Sequence, residues 1–221
     1  LVALVAGQRS LADSAVLPKP PQALVERARD LLARLGHDGT GDAAWSFNRD
    51  RALMADAQQD QAPDRWERLR QGPFALYDFY YRESPTRLVA AGTDAMVRRD
   101  DPPVTLSGMT EVVMSARGQL TGFTAVPPQV ETEGAPGAPP VWSPLFEAAG
   151  IDPAELRAVE TRGAAPVDSD HKAAWEGAYP GQPGLPIRVE AASYRGRPVW
   201  FAVLLPWSTP GRMAESTMIR E

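Results

Sequence analysis

The sequence predicts an α+β fold built of two related modules, each with helices packed on an antiparallel sheet. Three observations carry that reading. Leu24, Ala28, Leu31, Leu32 and Leu35 recur at the spacing of one helical stripe. Two hairpin patterns lie far apart, 109–126 around Arg117-Gly118 and 187–205 around Arg195-Gly196. Laying one turn over the other, at a separation of 78 residues, also matches Ser115 with Ser193, Phe123 with Phe201 and Pro128 with Pro206. A looser upstream parallel sets Leu35-Gly36-His37-Asp38 against Ala149-Gly150-Ile151-Asp152, and Asp64 to Glu67 against the region Asp170 to Glu176, which holds Trp175. The competing explanation is coincidence, because strand–Arg–Gly–strand hairpins are common.

The elements follow in chain order. Residues 1–16 read as a linker or membrane exit. Their apolar opening, Leu1 to Ala6, is either the tail of a membrane helix or a short strand or disordered start, since six residues cannot cross a bilayer. A start at Leu1 rather than methionine predicts an excised fragment. The first module spans 17–128. Pro21 suits the first helical position, where its missing N–H costs nothing, and Gly36 suits the cap, giving a helix over 21–35. A weaker helix is expected from Asn48 through Leu53 to Ala57, and a short one from Arg65 to Gln71 behind Asp64. Residues 74–82 are rich in aromatics and suit a strand, with further strands expected at 87–91 and 95–99.

Residues 129–141 form a Pro/Gly-rich linker. The second, shorter module spans 142–210. It opens on a short helix, Ser143 to Ala149, closed by Gly150. Asp152-Pro153-Ala154-Glu155 has the N-cap, N1 and N3 residues of a helix start. A Ser169 or Asp170 cap is expected to start another short helix toward Trp175. Residues 211–221 are a polar tail.

Composition excludes several functions. A chain of 221 residues with 6 Trp, 5 Tyr and 6 Phe has the means to bury a core, so disorder throughout is excluded. Its 28 acidic against 23 basic residues give a net charge of −5, which argues against nucleic acid as partner. The absence of cysteine removes disulfides, thiolate nucleophiles and cysteine-ligated metals. The 22 prolines and 18 glycines imply short elements and many turns.

No motif for phosphate binding, serine hydrolysis or zinc catalysis is present, and no cofactor is implied. Asp38-Gly39-Thr40-Gly41-Asp42 has the composition of a calcium loop but lacks its spacing and terminal glutamate. Ser169-Asp170-His171-Lys172 fits a Ser-x-x-Lys pattern without its companion motifs. Two histidines, His37 and His171, cannot be paired into a metal site from sequence. Tyr77, Phe79 and Tyr81 would share one strand face, and core packing against the first helix explains them better than ligand stacking. Trp200 and Phe201 read as core faces of the second hairpin, and Trp207 as a cap on the core's end.

Several short motifs occur together: Phe79-Tyr80-Tyr81-Arg82-x-Ser84-Pro85, Asp101-Pro102-Pro103 with Ser107-Gly108-Met109, Val126-Pro127-Pro128-Gln129, Ala174-Trp175-Glu176-Gly177 and Pro206-Trp207. In this order they resemble the non-kinase, membrane-adjacent region of large bacterial serine/threonine protein kinases, over about residues 17–213. The helix-plus-hairpin repeat is also similar, at fold level, to PepSY and cystatin-like modules. Kinase activity does not transfer, because no glycine loop, VAIK lysine, HRD or DFG motif is present. The resemblance implies a non-catalytic extracytoplasmic sensor domain, periplasmic or at the cell surface, attached to a membrane-bound kinase. The alternatives are a hydrolase-like enzyme using Ser169, His171 or Lys172 between the halves, and a protein-interaction scaffold that uses a sheet edge. Expected partners are a small-molecule, peptide or protein ligand, the parent chain's membrane helices, and a second copy of the chain. Tyr77, Tyr80, Arg82, His171 and Trp207 are the candidate ligand or interface residues; no catalytic or metal-binding residue is assigned.

Overall fold

A computed structural model describes residues 19–209, apart from 38, 40, 66–68, 70, 71, 73, 75, 93, 94 and 131–137. The expected membrane exit and polar tail, much of the linker and most of the helix from Arg65 to Gln71 therefore lie outside the described residues.

The elements run α1 (Pro21–Arg34), β1 (Asp42–Arg49), α2 (Arg51–Gln59), β2 (Tyr77–Ser84), β3 (Thr110–Ser115), β4 (Leu120–Ala125), α3 (Ser143–Ala149), β5 (Arg157–Val159), β6 (His171–Tyr179), β7 (Gln182–Tyr194) and β8 (Arg197–Leu204). All eight strands join one antiparallel sheet in the order β1-β2-β3-β4-β8-β7-β6-β5. The α+β class is therefore as expected, but the two hairpins share a sheet rather than building two separate ones. They meet at β4 and β8, where Phe123 lies opposite Phe201.

The helix ends follow the sequence. Pro21 opens α1, and the chain leaves it through Gly36, whose φ of +76° lets the His37 N–H donate back to the Leu32 carbonyl at 2.9 Å. The end of α3 repeats this at Gly150, with φ +68°, where the Ile151 N–H donates to Phe146. Arg34 of α1 donates to Glu147 of α3.

Alternation along the strands separates two faces. On one, α1 and α3 cover Phe79, Tyr81, Val112, Met114, Phe123, Val189, Ala191 and Phe201, all buried. Phe146 of α3 meets Phe201 edge-on at 5.5 Å. This is the main core, and it includes the Phe79 and Tyr81 pair assigned to α1 from sequence. Trp200, next to Phe201, instead faces the opposite side with Ala165, Ala192 and Val199. Trp207 meets Phe74 edge-on at 5.7 Å, at the core margin.

Four expectations need correction. Residues 87–91 and 95–99 are not strands. They belong to a long excursion over the second sheet face, and its backbone is held by side chains instead of a ladder. Asp101 accepts from the Ala91 and Gly92 N–H groups at 2.8 and 2.9 Å, and Arg82 reaches the carbonyls of Arg98 and Pro102. The helix expected from Asn48 starts at Arg51, because Asp50 is its cap and accepts from the Leu53 N–H at 2.9 Å. Residues 42–49 before it form β1, an edge strand with no sequence expectation. Asp152 caps only a single 3-10 turn, Pro153–Glu155. Finally, Ser169 and Asp170 start no helix: His171 opens β6, and Asp170 instead accepts from the Arg195 N–H at 2.6 Å across the β7–β8 turn.

Asp78 of β2 is a titrating element of this fold. It lies on the excursion face between Asn48 and Ser115. Burial, reinforced by the Asp50 carboxylate and opposed by Arg99, lifts it from the ordinary carboxylate range up to about 7. The folded state thus holds this proton more tightly than the unfolded chain. Its contribution is fully present below about pH 4 and is lost as pH rises through about 7. Because the side chain is only partly shielded from water, the loss is on the order of 2 kcal/mol. Asp78→Asn is expected to flatten the stability profile between pH 4 and 8 and to raise the urea midpoint at pH 8. An unchanged slope in the variant would show that another group titrates.

Candidate ligand-binding site

A concavity of ≈ 650 Å³ opens on the second sheet face beside β5, β6 and β7. It is lined by residues 157–162 together with Glu176 and Arg188. The register builds it. Glu176 of β6 lies between Arg157 of β5 and Arg188 of β7, so three long charged side chains stand in a row on one face. The segment after β5 then brings Glu160 and Arg162 over them.

Arg188 is the fixed centre of this row. Its Nε donates to Glu190 at 2.6 Å, one Nη to Glu176 at 2.6 Å, and the other to the Glu160 carbonyl at 2.5 Å. Burial pulls its basicity down, but the two carboxylates outweigh that and hold it above the ordinary arginine value. Glu190, only 2% exposed, also accepts from the Arg162 and Gly163 backbone N–H groups, each at 3.3 Å.

Arg157 and Arg162 differ from Arg188. Both side chains are largely exposed, and both meet the same Glu176, at 3.3 and 3.8 Å. Such loose surface pairs contribute about 0–1 kcal/mol and are easily exchanged. Two guanidiniums with spare donors therefore flank the mouth of a basin whose floor is held rigid. Three arginines meet three glutamates here, but Glu190 is buried against Arg188, so the guanidiniums of Arg157 and Arg162 are the exposed charges at the mouth. Chemically, the arrangement suits a carboxylate or phosphate group, which a guanidinium fork binds in two-point fashion.

A smaller concavity, ≈ 280 Å³, lies by α1 and β2. There the Tyr81 hydroxyl donates to Glu83 at 2.7 Å and accepts from Arg29 Nε at 2.9 Å. Burial raises the Tyr81 phenol, while Arg29 opposes the rise. The calcium-like stretch 38–42 borders it, with Asp38 and Thr40 outside the described residues; Asp42 accepts from the Leu88 and Ala43 N–H groups. Among the described residues no group of three His, Asp or Glu side chains could hold a metal ion.

The sequence candidates do not converge on one place. Tyr77 is half-buried on β2 with the Arg49 guanidinium over its ring at 5.9 Å. Tyr80 is buried and donates to the Val97 carbonyl at 2.9 Å, and its burial raises the phenol. Arg82 is 1% exposed and bound to the excursion, with burial lowering its basicity against the pull of Glu111. His171 is exposed at the start of β6 and stacks on Trp142 at 6.4 Å, far along the strand from the arginine row. Trp207 sits at the core margin. His171 and Lys172, neighbours on one strand, take opposite sheet faces, so the Ser169, His171, Lys172 set does not share a face.

The arginine row escaped sequence reading because its members span residues 157–190 and only the strand register collects them. The signal that existed was Arg-x-Glu at 188–190 in a strand pattern, which places both charges on one face. No protein-family model, no curated protein and no solved structure matches the chain.

Proposed function

We propose that the chain is a non-catalytic ligand-binding domain that recognises an anionic small molecule or an acidic peptide terminus in the basin between Arg157 and Arg162. The observation that carries the reading is the contrast within that basin. One arginine is locked by three hydrogen bonds, and two at the mouth are held by a single shared glutamate. In this reading the domain is the extracytoplasmic sensor of a membrane-bound bacterial serine/threonine kinase, as the sequence motifs imply, and ligand binding biases the receptor between two states. Among the described residues no helix is long and apolar enough to cross a membrane, so any anchor belongs to other parts of the chain or its parent.

The two-module reading is part of the same proposal, with one module over 17–128 and the other over 142–210. Counting inward from each sheet edge, each half places four antiparallel strands in chain order after a helix that closes on a left-handed glycine. The pair matched from sequence, Phe123 and Phe201, lies face to face at the seam, as expected of equivalent residues about a local two-fold axis.

A thermal-shift series with inorganic phosphate and with citrate tests the ligand class. A site filled to about 100 times its Kd gains about 2.7 kcal/mol, which for a chain of this size raises Tm by roughly 5–10 °C. The shift is expected to vanish in the Arg157→Ala, Arg162→Ala double variant. An equal shift in that variant would place binding elsewhere; no shift in either protein would remove the anion reading.

A further inference from the structure

We infer that β1 is a homodimerisation edge, through which two copies of this chain join their sheets about a two-fold axis at Ser46. The inference is independent of the anion basin. It begins from the hydrogen-bond phase of the strand. The β1–β2 register runs from Asp42 opposite Ser84 to Arg49 opposite Tyr77, and the Asp50 N–H continues it by donating to Leu76 at 2.9 Å. Even-numbered residues therefore turn their N–H and C=O groups toward β2. The odd ones, Ala43, Trp45, Phe47 and Arg49, turn theirs outward. No other described backbone group bonds to that outer side; only the Ala43 N–H has a partner, the Asp42 carboxylate beside it at 3.0 Å.

An exposed edge of this kind is normally blunted by proline, lysine, a bulge or shortness. β1 has none of these: it is eight residues long, reads Asp-Ala-Ala-Trp-Ser-Phe-Asn-Arg, and pairs without a register break. The opposite edge is guarded. β5 is three residues long and is overlain by Arg157, Glu160 and Arg162. Trp45, at the middle of β1, is 44% exposed beside Phe79.

The sequence of β1 fits a second copy of itself. A two-fold axis perpendicular to an antiparallel pair must pass between a residue and its own symmetry mate. With the axis at Ser46, Ala43 faces Arg49 of the other copy and Trp45 faces Phe47, each twice. All four outward residues of each strand are then paired, and two Trp–Phe cross-strand contacts form on the helix-covered face, where aromatic pairs are favourable. On the other face Ser46 meets Ser46 and Ala44 meets Asn48, with no like charges opposed within the bonded run 43–49. Asp42 and Asp50 face each other only beyond the bonded run, and each carboxylate is already held by amides of its own chain.

Sedimentation or light-scattering mass of the 221-residue chain is expected to give a dimer at about 100 μM that dissociates on dilution. Trp45→Lys is expected to give a monomer with unchanged circular dichroism. Register is tested by single cysteines in a chain that has none. Ser46→Cys places two thiols at a non-hydrogen-bonded pair about 4.5 Å apart at Cα, within disulfide reach, and is expected to cross-link on mild oxidation. Ala44→Cys faces Asn48 and is expected not to. A monomeric wild type, a dimer that survives Trp45→Lys, or cross-linking at 44 in preference to 46 would each overturn the inference.

Discussion

Arg82→Met is expected to cost about 3–5 kcal/mol, lowering Tm by roughly 6–20 °C. The guanidinium is buried, and it donates to two carbonyls, of Arg98 at 2.6 Å and Pro102 at 2.5 Å. It also lies opposite Glu111 in the β2–β3 register, and that carboxylate is 7% exposed. Truncation leaves both carbonyls without these donors and leaves Glu111 facing Arg99 alone, at 3.2 Å. Each buried carbonyl left unbonded costs about 1–3 kcal/mol. Shape is nearly kept by methionine, so the loss measures polar satisfaction more than cavity formation. The excursion over residues 85–108 has few apolar anchors, Leu88 being its buried one before Met109. Protease cleavage is therefore expected to begin there in the variant. Arg82→Lys keeps the charge but cannot span both carbonyls, so it is expected to fall between the two. Urea unfolding at pH 7 gives the number, and a loss under 1 kcal/mol would show that the clamp is not structural.

The second large effect is expected at the basin floor. Arg188→Met removes the only side-chain donor, among the described residues, to Glu190, which then keeps two backbone N–H groups at 3.3 Å for a nearly dry carboxylate. A cost of about 3 kcal/mol follows from the stranded charge. Adding Glu190→Gln to that variant removes the charge and is expected to return about 1–2 kcal/mol, although Glu190→Gln alone destabilises the wild type. This reversal of sign separates a coupled pair from two independent packing losses. Simple additivity in the double variant would mean that Arg188 and Glu190 do not act together. Because Arg188 also fixes the Glu160 carbonyl and Glu176, the single variant is expected to weaken the anion-induced thermal shift even under conditions where it is fully folded.

Much of the framework was legible in local sequence because local physics sets it. The α1 stripe, Pro21 and Gly36 define a helix and both its ends, and the Arg117-Gly118 and Arg195-Gly196 turns define two hairpins. The misses have a common cause. Residues 87–91 and 95–99 carry strand-like composition, yet Arg82 and Asp101 supply partners that replace a ladder. The stretch 171–179 holds three alanines and a glycine and lacks a period-two alternation, and becomes a strand because β7 pairs with it along its length. β1 was hidden because its alternation is short and its neighbour in space, β2, begins 28 residues after it ends.

The candidate site divides in the same way. Tyr80 and Arg82 stood out as unusual residues in an aromatic strand, but burial assigns them to holding the excursion rather than to an open surface.

By itself the sequence determined the α+β class, the capped helices and the two tight hairpins, since backbone preference and hydrophobic spacing act within a few residues. Only the tertiary structure decided that the hairpins share one sheet, that Arg157, Arg162 and Arg188 meet Glu160, Glu176 and Glu190 beside its short edge, and that among the described residues its long edge has no neighbouring strand. Those features depend on strand order and register, which join residues far apart in the chain through contacts that no local pattern encodes.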